Sequence, residues 1–166
     1  MEHDWKRFEF RTIRQDEADE AVEIETMCFP PNEACKREHM IPRIAAAPET
    51  FWIAADKGRI AGFINGIATD ETIFRDEFFT DASLHDPEGR NVMILGLDVR
   101  PEYRGFGLGR ELVRSFAEHE KGRHDRLVLT CLEHLVPMYL KFGFRDLGFS
   151  DSVWGGEQWH EMDMTL

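Results

Sequence analysis

The sequence predicts one α/β domain over residues 1–166, built from about seven strands and about four helices in layers. Three observations predict it. Apolar residues repeat with period two in some segments and with helical period in others, so strands and helices are mixed along the chain. The apolar run Val92–Val99 leads through a glycine-rich turn straight into an amphipathic segment. The 166 residues contain 42% hydrophobic and 31% charged positions, with no linker, repeat or low-complexity tract, which suits one domain with a sizeable core.

In chain order, Phe8–Ile13 alternates apolar and polar residues and is expected as the first strand. Asp16 is the expected N-cap of a helix carrying Ala18, Ala21, Val22, Ile24, Glu25 and Cys28 at helical spacing, ended by Phe29-Pro30-Pro31. A second helix is expected over Glu33–Ala46, interrupted or kinked at Pro42. Phe51–Ala55 and Ile60–Ala68 read as a hairpin around Asp56-Lys57-Gly58-Arg59. The acidic stretch 69–90 is irregular, with short helical turns near 73–79 and a turn at Asp86-Pro87-Glu88-Gly89. Val92–Val99 is the central strand. The helix behind it, Gly107–Glu120, has Leu108, Leu112, Val113, Phe116 and Ala117 as its buried stripe. Arg126–Cys131 is a strand, Leu135–Phe142 a helix with Pro137 in its first turn and Gly143 at its end, and 144–149 and 159–166 are closing strands.

Charge and composition narrow the function. The net charge is -12, which argues against nucleic-acid binding, since that draws on Lys and Arg contacts to phosphate. It favours a cationic partner steered by the overall field. No apolar run approaches the ~18 residues of a membrane span, so no membrane partner is expected. Cys28, Cys35 and Cys131 are an odd set without Cys-x-x-Cys spacing and read as reduced thiols, so a cytoplasmic location is expected. His3, His39, His119, His124 and His160 lack metal-ligand spacing, and no metal is expected.

The richest stretch is Arg104-Gly105-Phe106-Gly107-Leu108-Gly109-Arg110. Glycines at alternating positions before a helix remove Cβ atoms where something approaches the backbone. Unpaired N–H groups and the macrodipole at the helix start make a phosphate or pyrophosphate site. Gly-x-Gly-x-Gly without Lys-Ser/Thr disfavours both a dinucleotide fingerprint and a nucleoside-triphosphate loop. Arg100, Arg104, Arg110 and Arg114 against Glu102 and Glu111 make this segment a basic island in an acidic chain.

Arg104, Gly107 and Gly109 match Arg/Gln-x-x-Gly-x-Gly/Ala, which resembles the acetyl-CoA pyrophosphate loop of the GNAT superfamily of N-acyltransferases. Leu135-Val136-Pro137-Met138-Tyr139-Leu140-Lys141-Phe142-Gly143-Phe144 resembles that superfamily's last motif. The order of elements matches from end to end, implying a GNAT-like, mixed and mostly antiparallel sheet. The pattern is closer still to the serotonin (arylalkylamine) N-acetyltransferase branch, through the Leu-Val-Pro motif, Val22-Glu23-Ile24-Glu25, Phe29 and Gly62–Gly66.

The resemblance implies that Leu97, Asp98 and Val99 lend backbone groups to the pantetheine arm of acetyl-CoA. It implies that Gly105, Phe106, Gly107, Leu108, Gly109 and Arg110 hold the pyrophosphate, with Arg104 at the motif's fixed position. Tyr139 would sit beside the thioester sulfur as general acid, with Leu140 and Lys141 along the same edge. Phe29, Leu97, Thr130 and Trp159 fall at that branch's substrate positions, and superfamily members often dimerise, so the resemblance allows a homodimer. One departure stands out. The branch's two relay histidines fall on Met93 and Leu95, which carry no proton.

An alkylammonium near pKa ~10.4 is only about one part in a thousand nucleophilic at neutral pH, so a proton must be removed before attack. Glu133, His134 and His85 are weak candidate bases, since a helix cap is the commoner role for Glu133 and a solvent-exposed loop position for His85, and Glu33 could pair with a cationic amine although a helix N-terminal carboxylate is its commoner role. Without the resemblance Tyr139 reads as a core aromatic. The leading expectation is acetyl transfer from acetyl-CoA to a small primary amine by direct attack. Transfer to a protein or peptide amine and a non-catalytic acetyl-CoA-binding module are the alternatives.

Overall fold

Strand β4 (Asn91–Val99) runs through the middle of the sheet, and its two edges set the architecture. A computed structural model of the chain describes residues 4–166, so His3 lies outside the described residues. The strands are β1 (Glu9–Thr12), β2 (Phe51–Asp56), β3 (Arg59–Thr69), β4, β5 (Arg126–Cys131), β6 (Arg145–Phe149) and β7 (His160–Thr165). They form one sheet of seven in the order β1-β2-β3-β4-β5-β7-β6. Every neighbouring pair is antiparallel except β4 with β5, which is parallel.

Among the described residues five α-helices accompany the sheet: α1 (Ala18–Cys28), α2 (Arg37–Ala46), α3 (Glu77–Thr80), α4 (Leu108–Glu120) and α5 (Val136–Lys141). The helix beyond the four expected, α3, is a single turn within the stretch where only short helical turns were expected. Helix α1 opens through a 3₁₀ turn at Gln15–Glu17, where the Glu17 carboxylate, not Asp16, accepts the Arg14 N–H at 2.9 Å. Helix α2 starts at Arg37, later than expected, because the chain turns at Pro30, whose carbonyl accepts N–H bonds from Glu33 and Ala34.

The sheet is covered on both faces. Ile24, Met40 and Ile44 from α1 and α2 pack on Phe51, Ile53 and Phe63 on one side. The stripe Leu108, Leu112, Val113 and Phe116 of α4 packs on Ile64, Val92 and Leu127 on the other. Each such fully buried side chain contributes roughly 1.5–3 kcal/mol.

A bulge in the β3–β4 ladder changes which face β4 presents. Register runs Asn65↔Gly96 and then Gly66↔Ile94, so Leu95 is the extra residue. Val92 and Ile94 face the α4 side, and after the bulge Leu97 and Val99 face it too. Met93 and Leu95 pack on the opposite side with Phe74 and Phe78. Asp98 follows them there, with none of its surface exposed.

Candidate active site

Strands β4 and β5 pair only over Asn91↔Arg126, Val92↔Leu127 and Met93↔Val128. Beyond that point each keeps its other neighbour. β4 continues beside β3 as far as Val99↔Gly62, and β5 beside β7 as far as Cys131↔His160. The facing edges therefore part, leaving the backbone of residues 94–99 without a partner strand on the β5 side.

The parting opens a cavity of about 180 Å³. Ile94–Leu97 and Leu129–Leu132 of the two parted strands line it, together with Tyr139 and Met138 of α5. Phe29, Phe79, Trp154 and Trp159 add aromatic walls. Phe79 and Trp154 stack with centroids 4.4 Å apart. The indoles are held by hydrogen bonds, Trp154 Nε1 donating to Glu33 O and Trp159 Nε1 to Trp154 O, each 2.9 Å. The ionisable carboxyls on this lining are Glu25 and Glu33, and among the described residues no Lys or Arg lines it.

The second feature is the glycine turn. Gly105 and Gly107 have φ of +93° and +91°, a conformation that L side chains rarely adopt. Gly107 is the N-cap of α4, and the first intrahelical bond comes from Glu111 N–H to Gly107 O at 3.0 Å. The N–H groups of Leu108, Gly109 and Arg110 ahead of it have no intrahelical acceptor. Beside them a larger cavity of about 920 Å³ is lined by Arg110, Arg114, Lys121 and Lys141, against Glu111 and Glu118. The two cavities thus carry opposite charge.

The sequence profile of the Acetyltransferase (GNAT) family matches residues 13–144. The chain belongs to that family. This GNAT chain is 26% identical over 147 residues to the probable hydrolase YhcX of Bacillus subtilis (strain 168), a match covering 82% of this chain and 28% of that protein. It is 32% identical over 113 residues to serotonin N-acetyltransferase of Mesocricetus auratus, covering 67% of this chain and 53% of that one. The chain therefore spans little more than a quarter and about half of these two relatives. The solved GphF GNAT-like decarboxylase, in complex with isobutyryl-CoA, shares the fold with a TM-score of 0.80 at 18% identity, covering 95% of this chain and 98% of that one.

Among the residues singled out by sequence, Phe29, Leu97, Thr130, Trp159 and Tyr139 all line the smaller cavity of the GNAT chain. Phe106, Gly107, Arg110 and Lys141 line the larger one. Leu108 is buried in the core beneath the turn, and a Cβ on Gly109 would lie 3.8 Å from Val99. Leu140 is 49% exposed on the outer side of α5 and lines neither cavity. Asp98 shows only its backbone to the open edge, since its side chain points to the α1 side. Val99 O already accepts from Arg104 Nε at 3.0 Å, and Arg104 Nη2 contacts Cys28 Sγ at 3.4 Å.

The basic island needs correction. Arg100 is 3% exposed and belongs to the fold, its Nε donating to Ile60 O at 2.6 Å and its Nη2 to Glu20 at 3.0 Å. Arg114 is paired with Glu111 at 2.6 Å. The candidate bases fare no better. His85 is not a solvent-exposed loop residue: its side chain is buried, with Nδ1 accepting Ala68 N–H at 3.0 Å and Nε2 bonded to Glu49, away from the cavity. Glu133 and His134 are exposed and do not line it. Among the described residues no cluster of three or more His, Cys, Asp or Glu is placed to hold a metal.

Sequence reasoning missed Phe79 and Trp154, which reach the cavity from the irregular stretches 70–90 and 150–159. It also missed Glu25 as a lining residue. Burial raises the Tyr139 hydroxyl far above its ordinary value, with Cys131 and Asp98 adding to the effect, so it stays protonated at neutral pH. Burial likewise pushes the Cys131 thiol up to about 12, which keeps it from acting as a thiolate nucleophile.

Proposed function

We propose that this chain transfers an acetyl group from acetyl-CoA to a small primary amine by direct attack, with Tyr139 as general acid. The observation that carries this reading is the charge-sorted pair of cavities on either side of α5: cations beside the glycine turn and at Lys141, carboxyls and aromatic rings around the cavity that Tyr139 lines.

The residues fit acetyl-CoA as cosubstrate. The turn leaves the approach to Gly105 open, with nothing near its missing Cβ. The N–H groups at the start of α4, with Arg110 and Lys141 nearby, suit a diphosphate. The free edge of β4 over 94–99 offers backbone partners to an extended amide-bearing arm. Leu108 supports the turn from the core, whereas Leu140 has no part in this reading.

The acceptor reading rests on size and charge. A cavity of about 180 Å³ walled by Phe29, Phe79, Trp154 and Trp159 suits a small, partly aromatic group, and Glu25 and Glu33 suit its ammonium. The similarity to serotonin N-acetyltransferase points the same way, but the proton route must differ. Met93 is fully buried among Phe74 and Phe78, and Leu95, 8% exposed, gives the cavity an apolar side chain, so neither position offers a proton relay. Tyr139, held protonated, is suited to give a proton to the departing sulfur. Burial holds the thiol of Cys131 protonated, which favours direct attack over a covalent acyl-enzyme.

The test is thiol release from acetyl-CoA across a panel of arylalkylamines, polyamines and N-terminal peptides. Turnover is expected on the small amines. Turnover on peptides alone would overturn the acceptor assignment, and tight acetyl-CoA binding with no turnover on any amine would make the chain a binding module.

A further inference from the structure

Two buried carboxyls meet where the cavity touches the α1 side of the sheet. Glu25 is 4% exposed and lines the cavity, with Oε2 accepting the Cys35 N–H at 2.8 Å. Asp98 has no exposed surface, and neither of its oxygens has a hydrogen-bond partner. The meeting point is Gly96, itself a lining residue. A Cβ there would sit 3.0 Å from Asp98 Oδ1 and 3.6 Å from Glu25 Oε1. Gly96 thus opens a passage from the cavity to both oxygens.

The bulge at Leu95 is what creates this meeting. Leu97 and Val99 take the α4 face, and the next residue of opposite sense, Asp98, falls beside α1. The surrounding charges and titratable groups include Glu33, which lines the same cavity, and Arg104, which contacts Cys28. Arg43 of α2 donates to Asn65 Oδ1 at 3.0 Å and to Phe79 O at 2.8 Å, and Cys28 and Cys35 flank the pair. Tyr139 lies within electrostatic reach across the gap. Asn65 Nδ2, which has no partner, adjoins the same point, 3.2 Å from a Gly96 Cβ. Two adjacent buried carboxylates facing one arginine would leave an excess negative charge, whereas one retained proton leaves a single negative charge opposite Arg43.

We infer that Glu25 and Asp98 share one proton and together form the general base for the acceptor amine, with Glu25 touching the ammonium and Asp98 positioning and buffering it. This rests on the acetyl-transfer reading above. The step balances as follows. The ammonium R–NH₃⁺ gives one proton to Glu25, and the pair then holds two. The freed nitrogen lone pair forms the C–N bond to the thioester carbonyl carbon. The C–S bond breaks with its electron pair on sulfur. A second N–H proton reaches that sulfur by way of Tyr139, giving the amide and the thiol, and the pair returns its extra proton to water. Burial and the facing Glu25 raise Asp98 well above the ordinary carboxylate range, consistent with a proton held there at rest.

Two measurements on the full chain test this. Infrared difference spectra of wild type against Asp98→Asn, at about pH 8, are expected to show a protonated carboxyl band lost in the variant. With the best amine of the panel, Glu25→Gln is expected to lower kcat/KM by about 10²-fold while leaving the acetyl-CoA Kd within about twofold. Its kcat/KM should then rise about tenfold per pH unit toward the amine's own pKa, because only free amine reacts, whereas the wild-type profile is flatter. A merely structural role for Glu25 would not change that slope. Turnover without the carboxyl band, or an unchanged pH profile in Glu25→Gln, would overturn the pair. A band in a protein that turns over no amine would overturn acetyl transfer, and with it the pair's role as base.

Discussion

The two edges of β4 behave differently although they belong to one strand. The edge toward β3 is paired from Thr69↔Asn91 to Gly62↔Val99, while the edge toward β5 stops pairing at Met93. At the closed edge backbone approaches so closely that glycine is required: a Cβ on Gly66 would lie 2.3 Å from Met93 O. At the open edge backbone groups and side chains from both faces of the sheet reach one cavity. The closed edge therefore holds the fold, and the open edge is available for chemistry. Two buried carboxyls repeat the contrast. Asp98 lies on β4 beside the cavity, whereas Glu120 ends α4 away from it, 3.3 Å from His124, whose Nδ1 bonds Gly89 O at 2.6 Å.

The largest effect is expected at the open edge. Tyr139→Phe should lower kcat by about 10²–10⁴-fold, measured by thiol release, with acetyl-CoA affinity nearly unchanged. An unaltered kcat would remove the hydroxyl from the mechanism. At the closed edge Gly66→Ala should destabilise the protein by roughly 2–4 kcal/mol in denaturant unfolding, since the clash is with backbone that cannot rotate away. A loss under about 0.5 kcal/mol would mean that the β3–β4 bulge yields, and that this edge is less rigid than the contrast requires.

Glu120 separates stability from turnover. Burial raises its carboxyl from 4.5 to about 7. The folded state then binds more protons than the unfolded state between those values, so this residue's contribution to stability falls as pH rises from about 4.5 to about 7 and is level above. Glu120→Gln should flatten that dependence and raise stability near pH 8 by roughly 1–3 kcal/mol, read from urea midpoints across pH. Turnover should not change. The smallest effect is expected at Leu140→Ala. Its side chain is half exposed and lines neither cavity, so acetyl-CoA affinity should stay within about twofold. A tenfold loss would bring the outer side of α5 into the site.

How much was legible follows from how local each signal is. The seven strands and the main helices were readable because each carries its own periodicity, and β5 matched over Arg126–Cys131. The glycine turn was readable because a positive φ and a helix start are encoded within a few residues. Arg100 misled because its charge looked free, while its guanidinium is satisfied by Ile60 and Glu20, remote in sequence. Phe79 and Trp154 lay in stretches without periodicity, and their stacking depends on loops brought together by the sheet.

The residue pattern was thus enough to specify the order of elements and the glycine turn at the start of α4, because hydrogen-bond geometry and amphipathic spacing act over a few positions, whereas Tyr139 stood out only through the family resemblance. The rest was settled by packing across the chain. A single extra residue at Leu95 decides which face each later side chain of β4 takes. Alternation along a strand cannot reveal this, since a bulge exists only relative to the partner strand. Only after that shift does Asp98 meet Glu25 across Gly96, and only where β4 and β5 part does the pair lie beside a cavity that Tyr139 also lines.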